Sequence, residues 1–571
     1  MKIKVSDYII EFLISKQISD VFGYPGGMVT HLMDSFYKYE KKIKAHINYN
    51  EQASAFAACG YAQVSGKPGV AYATSGPGAT NLITGIANAY FDSIPTMFIT
   101  GQVNTYEAKW GELKQRGFQE TDIINIVKPI VKKAYYISNP EEVPKILEDA
   151  YQLCMTDRKG PVLLDIPMNI QRSEITRPIN SHVSLYKNGT HEQNQKIEEI
   201  RKLINYAKRP VFILGNGIHS MSQEKLEMFL NNLNIMNIPV VTSMVAIDLL
   251  TKENHLNYGF LGAYGSRVAN FIVAKADLLI TIGTRLDIRQ VGGKTENFSI
   301  KAKLIRFDVD ESEFTRKIKE DEIQIFCDVD NVLDILTSCK INIKAIKEWR
   351  DICDIIKMKL LGYDDREYNK IISQISEHIN DNTVITTDVG QNQVWVAQSF
   401  QNKKNQKILF SGGHGAMGYS LPAAIGAYYA TGKPVVSFNG DGGLQMNIQE
   451  MQFIARESIP VKIIVLNNSS LGMIRHFQEM YFDSIFYQTT NKMGYSNPQF
   501  SRISKAYGIR YEEYLNQGAF DFSILNDDKP CLVEIKLNAN TYVYPKLAMD
   551  KLNQDQEPEL DRNLYEEIML L

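Results

Sequence analysis

The sequence predicts an α/β protein of three domains, each a mostly parallel sheet flanked by helices. Three observations carry that prediction. Short apolar runs recur at 70–74, 96–100, 161–166, 210–214, 239–242, 276–283, 304–309, 384–387, 435–439, 461–466 and 531–535. Runs that are apolar throughout are strands buried on both faces. Longer helical stretches separate them, and that alternation makes the sheets parallel. The chain has 571 residues. That is too many for one hydrophobic core and suits three domains of roughly 150–200 residues.

Two stretches read as linkers. Residues 172–195 are polar and include Pro178 and Asn188-Gly189. Residues 341–367 are charged and mostly helical. The expected domains are therefore 1–180, 190–345 and 360–571. No short-period repeat is present, and a single sequence leaves open whether the first and last thirds are similar units. Residues 1–16 place Lys2, Lys4, Asp7 and Glu11 among apolar residues at helical spacing, which reads as an amphipathic first helix and not a signal peptide.

Composition excludes several classes. Net charge is −3, so no basic excess draws the chain to nucleic acid or to an anionic membrane. No apolar run reaches the roughly 18 residues that span a bilayer. The six cysteines are scattered without a C-x-x-C pair, which fits reduced thiols in a cytoplasmic protein. The nine histidines are dispersed, and no G-x-S-x-G elbow occurs.

One segment carries clear chemistry. The run 435–438 leads into Asn439-Gly440-Asp441-Gly442-Gly443, and the next strand ends at Asn467-Asn468. One helical crossover brings Asp441 and Asn468 to the carboxyl edge of one sheet, where open α/β folds bind ligands. Asp441 offers a charged oxygen, Asn468 a neutral one, and a carbonyl near Ser470 a third. Hard oxygens of this kind suit Mg²⁺, which completes its shell with phosphate oxygens. Gly440, Gly442 and Gly443 let backbone approach a diphosphate, and the following helix presents free N–H groups. A competing signal is Gly413-His414-Gly415-Ala416-Met417-Gly418, which fits a dinucleotide fingerprint. That fingerprint wants an acidic residue at the end of the next strand, and here the strand ends in the metal turn.

With these residues in view, the chain resembles the acetolactate (acetohydroxyacid) synthase branch of the thiamine-diphosphate enzymes. The matching segments are Phe22-Gly23-Tyr24-Pro25-Gly26-Gly27, Asn50-Glu51-Gln52, Thr74-Ser75-Gly76-Pro77-Gly78-Ala79-Thr80-Asn81, Phe118-Gln119-Glu120, Gly283-Thr284-Arg285-Leu286-Asp287-Ile288-Arg289, Gly415-Ala416-Met417-Gly418 and the metal turn. The resemblance implies pyrimidine-binding, central and diphosphate-binding domains in that order. It also implies a homodimer or homotetramer, with each cofactor held between two chains. It makes Glu51 the carboxylate that polarises the cofactor's aminopyrimidine. The thiazolium carbon can then attack a 2-keto acid, and the ring takes up the electrons released with CO₂. Small and apolar neighbours, Ala53, Ala55, Phe56, Ala57 and Ala58, favour burial of that carboxylate. By the same resemblance Met417 props the cofactor in its bent shape and Gln119 works beside the reacting centre. Pro25, Gly26, Thr74, Gly78, Asn81, Gly390, Gln391, Asn392, Gly415, Leu471, Gly472 and Met473 line the cofactor. Gly27, Phe118, Gln119, Arg289, Met473 and Phe477 meet substrate.

Several features depart from the family or leave a choice open. Residues 104–117 are longer than usual and add Lys109, Trp110, Lys114 and Arg116. Phe477 stands where members preferring 2-ketobutyrate carry Trp. Arg289 suits a carboxylate or a phosphate through its bidentate fork. The tail 542–571 is acidic and loosely resembles tails of synthase-like enzymes of surface-polysaccharide pathways. Gly215, Gly217, Gly283, Arg285, Asp287 and Asp308 sit where FAD contacts fall. Asn216 replaces a usual glycine and Ile288 a usual acidic residue, so FAD and an empty, vestigial pocket both stay open.

The reading is a thiamine-diphosphate- and Mg²⁺-dependent carboligase acting on pyruvate and a second carbonyl compound. The runner-up keeps the donor and uses a keto sugar nucleotide as acceptor. A flavin-dependent pyruvate oxidase and a catalytically silent scaffold are further alternatives. A regulatory subunit is left open.

Overall fold

A computed structural model describes residues 2–108, 110–177 and 191–571. The expected boundary near 180, Pro178, Asn188, Gly189 and Lys109 lie outside the described residues. Among the described residues twenty strands form three six-stranded sheets and one small ribbon. The first stretch holds β1 (Lys2–Lys4), β2 (Asp20–Gly23), β3 (Lys44–Ile47), β4 (Gly69–Ala73), β5 (Thr96–Gln102), β6 (Lys133–Tyr136), β7 (Val162–Pro167) and β8 (Glu174–Thr176). The middle stretch holds β9 (Pro210–Leu214), β10 (Val240–Thr242), β11 (Asn257–Phe260), β12 (Leu278–Ile282), β13 (Lys303–Asp308) and β14 (Ile323–Phe326). The last holds β15 (Val384–Thr387), β16 (Lys407–Leu409), β17 (Val435–Gly440), β18 (Val461–Asn467), β19 (Arg510–Glu513) and β20 (Cys531–Lys536).

All three large sheets are parallel throughout and carry helices, so the chain consists of three α/β domains as its apolar runs predict. The first sheet runs β3-β2-β4-β5-β7-β6 and the last runs β16-β15-β17-β18-β20-β19. These are the same order, so the first and last domains are topological copies. The middle sheet runs β11-β10-β9-β12-β13-β14, the dinucleotide-fold order. The expected first helix is shorter than its pattern suggests. Lys2–Lys4 is the strand β1, antiparallel to β8, and the helix begins at Val5.

The chain gathers into two compact units. The first contains the first and last sheets. Between them the helices Glu51–Ser65 and Ser420–Thr431 cross in close contact. A Cβ on Gly60 would lie 2.2 Å from the Ala423 carbonyl oxygen, and one on Gly426 would lie 1.8 Å from that of Ala57. Each helix thus meets the other through its own Ala-x-x-Gly step, and only glycine lets the backbones approach so closely. Asn48 and the Tyr49 N–H both donate to the buried Glu450 carboxylate, at 2.9 and 2.8 Å.

The second unit contains the middle sheet. The helix Ile343–Lys359, within the stretch that reads as a linker, buries Trp349, Cys353 and Ile356 in this unit's core. Leu560 and Ile568 from the tail join the same core. The buried Arg267 guanidinium donates to Asp364 and to the Gln556 and Pro558 carbonyls, tying the tail down. Among the described residues no helix is long and apolar enough to cross a membrane.

Candidate active site

Two clusters form, at the carboxyl edges of the first and last sheets. Each lies where strand order reverses, between β2 and β4 and between β15 and β17, the usual ligand crevice.

The first cluster centres on Glu51, the opening residue of its helix, with Asn50 as cap accepting the Gln52 N–H at 2.7 Å. Glu51 is buried, and Asn81 Nδ2 donates to its Oε2 at 3.0 Å. A Cβ on Gly78 would lie 3.1 Å from Glu51 Oε1 and 2.8 Å from the Thr74 methyl group. Thr74 packs against Gly26 too, where a Cβ would sit 2.4 Å from its own, and its hydroxyl accepts the Met28 N–H. Pro25 precedes Gly26 in the same turn after β2, whereas nothing crowds Gly27. Gly76, at φ 63°, abuts Gln119, itself at φ 63°. Phe118 is 80% exposed, so its ring is left to meet a ligand or another surface.

The second cluster centres on Asp441, which opens a short helix after β17. Its Oδ2 accepts from the Tyr495 hydroxyl at 3.0 Å. Burial pushes the Asp441 carboxyl up to about 6, while Tyr495 and the N–H groups of Gly442 and Ser470 pull the other way. Asn468, beyond β18, donates from Nδ2 to Gln391 Oε1 at 3.0 Å, and its Oδ1 accepts the Ser470 N–H at 3.2 Å. A side chain at Gly472 would strike Gln391 Oε1 at 1.8 Å, and one at Gly442 would meet Leu471, Tyr495 and the Met417 methyl group. Asp441, Asn468, Ser470, Gln391, Leu471, Gly472 and Met417 therefore share one crevice. Met473 follows in the first turn of the next helix.

Comparison with known families and proteins identifies the chain's relatives. Residues 3–126 match the N-terminal TPP binding domain of thiamine pyrophosphate enzymes, 197–336 their central domain, and 388–535 their C-terminal TPP binding domain. The chain is 34% identical to the acetolactate synthase isozyme 1 large subunit of Escherichia coli K12, over 96% of this chain and 97% of that protein. It is 36% identical to a probable acetolactate synthase large subunit of Methanocaldococcus jannaschii, over 90% and 88%. For the acetolactate synthase large subunit of Lactococcus lactis the identity is 33%, over 95% and 94%. The chain belongs to the thiamine-diphosphate enzymes, on their acetolactate synthase large-subunit-like branch. Its chemistry is the decarboxylation and carboligation of that branch.

The residues present fit the family's cofactor. Gln391 Nε2 and the Asn392 and Asn439 side-chain oxygens are buried without hydrogen-bond partners beside the glycine-rich turn at 440–443. Buried polar atoms left so are expected where a ligand supplies the partner. Among the described residues no group of three or more His, Cys, Asp or Glu could hold a metal. Asp441 and Asn468 therefore need backbone, water or diphosphate oxygens to complete a magnesium shell.

Sequence reasoning missed two partners of this crevice. Tyr495 comes from a distant loop with no local signal. Asp388 directly follows β15 and was legible by position. Its carboxylate accepts the N–H groups of Val389, Gly418 and Ser420 at 2.9–3.1 Å. Burial pushes it up to about 6. A Cβ on Gly443 would lie 2.2 Å from Asp388 Oδ1, so one carboxylate ties the Gly390 turn, the Gly415 loop and the metal turn together. Within the dinucleotide fingerprint at 413–418 the donors are already engaged, the Gly413 N–H by Asp92, the Ala416 N–H by Ser411 and the Gly418 N–H by Asp388.

In the second unit, Gly215, Gly217 and Gly283 follow β9 and β12 and Asp308 ends β13, so all four stand at the carboxyl edge of the middle sheet. Gly217 and Gly283 pack so closely that a Cβ on either would come within 2.8 Å of the other's Cα. Asp287 accepts the Arg289 N–H and lies 3.7 Å from Arg285. The Arg289 guanidinium reaches Met244 Sδ at 4.0 Å. Phe477, in the first unit, is 41% exposed and packs on Tyr481 and Phe482. In the longer loop, Trp110 meets Tyr136 edge-on at 4.6 Å, and the Arg116 and Gly117 N–H groups donate to Glu120. Lys114 and Arg116 are exposed.

Proposed function

We propose that this enzyme decarboxylates pyruvate and joins the two-carbon unit to a second carbonyl compound, giving 2-acetolactate when the acceptor is another pyruvate. One observation carries the reading. The buried Glu51 carboxylate has one oxygen held by Asn81 and the other facing the Cβ-free Gly78. A single oriented carboxylate in such a crevice is what an aminopyrimidine needs to be held and polarised. Bound thiamine diphosphate supplies a nucleophilic carbon and an electron sink. The chain supplies the rest. Asp441, Asn468 and the Ser470 carbonyl would hold Mg²⁺, Gln391 and Asn392 would meet the diphosphate, and Met417 would pack against the cofactor. Gln119 and Phe118 face the reacting centre, Met473 and Phe477 shape the acceptor side, and Arg289, in the second unit, offers a guanidinium suited to a carboxylate. Joining two pyruvates releases one CO₂ and takes up one proton.

The test is labelled pyruvate with a panel of acceptors, products being identified by mass. Acetolactate from pyruvate alone supports the reading, and absence of pyruvate consumption overturns it. A keto sugar nucleotide acceptor is the second reading. The anchored 104–117 loop and the exposed Lys114 and Arg116 favour it, and the same experiment would show a branched sugar. The gathered glycines of the middle sheet support FAD binding there. A flavin absorbance that bleaches with pyruvate and recovers with O₂ would turn the assignment to an oxidase. We further propose a cytoplasmic homodimer or homotetramer in which Glu51 of one copy serves the Asp441 crevice of another. Its pathway is branched-chain amino acid biosynthesis, or polysaccharide biosynthesis under the sugar reading. Sedimentation, with and without a regulatory subunit, tests the assembly.

A further inference from the structure

The fourth strands of the first and last sheets, β5 and β18, are each seven residues long and end on an amide, Gln102 and Asn467. Gln102 Nε2 donates to Asp165 at 3.0 Å, and Asn467 Nδ2 donates to Glu534 at 2.6 Å. Asp165 and Glu534 are each the fourth residue of the sixth strand of their sheet. The amide oxygens match as well. Gln102 Oε1 accepts the Val103 N–H, and Asn467 Oδ1 accepts the Ser469 N–H, both at 3.0 Å. Burying a carboxylate inside a sheet is costly unless its hydrogen bonds are met, and here the same pair meets them in both the first and the last sheet.

In the last sheet the effect of the pair is plain. Asn467 fixes the backbone that runs through Asn468 to Ser470. In the first sheet the Gln102 amide reaches further. Its Nε2 also donates to the Thr121 carbonyl at 2.8 Å, two residues beyond Gln119. Gln119 needs such support, because a non-glycine residue at φ 63° is strained unless its surroundings fix it. Gly76 abuts it on one side, and Glu120 binds the Arg116 and Gly117 N–H groups on the other. Thr100 Oγ1 donates to Asp165 at 2.6 Å and completes the buried end.

We propose that the Gln102–Asp165 pair is a positioning device for Gln119, fixing the Thr121 carbonyl and with it the direction in which the Gln119 amide meets the substrate. This rests on Gln119 working beside the reacting centre. A misdirected amide slows transfer to the acceptor, and the two-carbon unit then leaves as acetaldehyde, each pyruvate taking up one proton and releasing one CO₂.

The test uses the full chain saturated with thiamine diphosphate and Mg²⁺, reading kcat, KM for pyruvate and the ratio of acetaldehyde to ligated product. Gln119→Ala is the reference. Gln102→Met should follow it, with kcat down about tenfold, KM nearly unchanged and the acetaldehyde share raised. Cofactor affinity should stay at the wild-type value. Asp165→Asn, which keeps an oxygen for Gln102, should restore the ratio that Asp165→Ala disturbs. If Gln119→Ala shifts the ratio and Gln102→Met does not, the positioning role is wrong. If Gln119→Ala shifts nothing, the role given to Gln119 falls and takes this proposal with it. Should Gln102→Met not fold, Gln102→Asn, too short to span Asp165 and Thr121, is read with the same two outcomes.

Discussion

The first and last sheets share one strand order, one Ala-x-x-Gly helix crossing and one strand-end amide–carboxylate pair, yet they offer opposite chemistry. The first presents a carboxylate, Glu51, against small residues. The last presents a glycine turn with Asp441, whose bare backbone and single carboxylate suit the proposed metal and diphosphate. The difference lies in the loops at the point where strand order reverses. The scaffold sets where a loop stands, and the loop's side chains decide what it does. Pyrimidine recognition asks for one directed carboxylate, whereas a diphosphate asks for bare backbone and a cation.

The comparison breaks or sharpens by substitution. Asp441→Ala should abolish thiamine-diphosphate binding, read by titration calorimetry, and pyruvate consumption with it. Glu51→Gln should keep binding but lower pyruvate consumption by about 10²–10⁴-fold. If both variants lost binding alike, the two halves would not be specialised. Tyr495→Phe removes the hydroxyl that orients Asp441 and should weaken Mg²⁺ by about 10–100-fold in the same titration. Gly426→Ala and Gly60→Ala each push a Cβ into a facing carbonyl and should cost about 1–3 kcal/mol in denaturant unfolding. Similar losses would support a symmetric crossing.

The smallest effect concerns pH. Burial pushes the Asp165 carboxyl up to about 7, with Thr100 and Gln102 pulling it down. The folded chain then holds this proton more tightly than the unfolded one. The stabilisation is complete below the ordinary carboxylate range and fades as pH rises through about 7. Asp165→Asn should flatten the fall in thermal stability between about pH 4 and 7.

How much was legible in the sequence varied with burial. Every strand expected from a continuous apolar run is present. The strands that escaped notice are mostly sheet edges, such as Lys133–Tyr136 with KAYY and Arg510–Glu513 with RYEE. An edge has a neighbour on only one side and tolerates polar side chains, so its pattern fades. At the site, Asp441 and Asn468 were legible because glycines and strand ends surround them in sequence. Tyr495 and the Gln102–Asp165 pair were not, because their meaning lies in partners far along the chain.

The sequence by itself determined the α/β class through periodicity and marked the turn at 439–443 as a candidate through a short motif, while Glu51 was singled out through the family resemblance, since all three are read from local properties. Only the tertiary structure decided that the first and last domains are copies, that Asp388 takes the Gly418 and Ser420 N–H groups, and that Gln119 is held in a strained conformation by residues from β5 and β7. Those facts depend on which strands become neighbours, and strand order is a long-range property that local pattern does not encode.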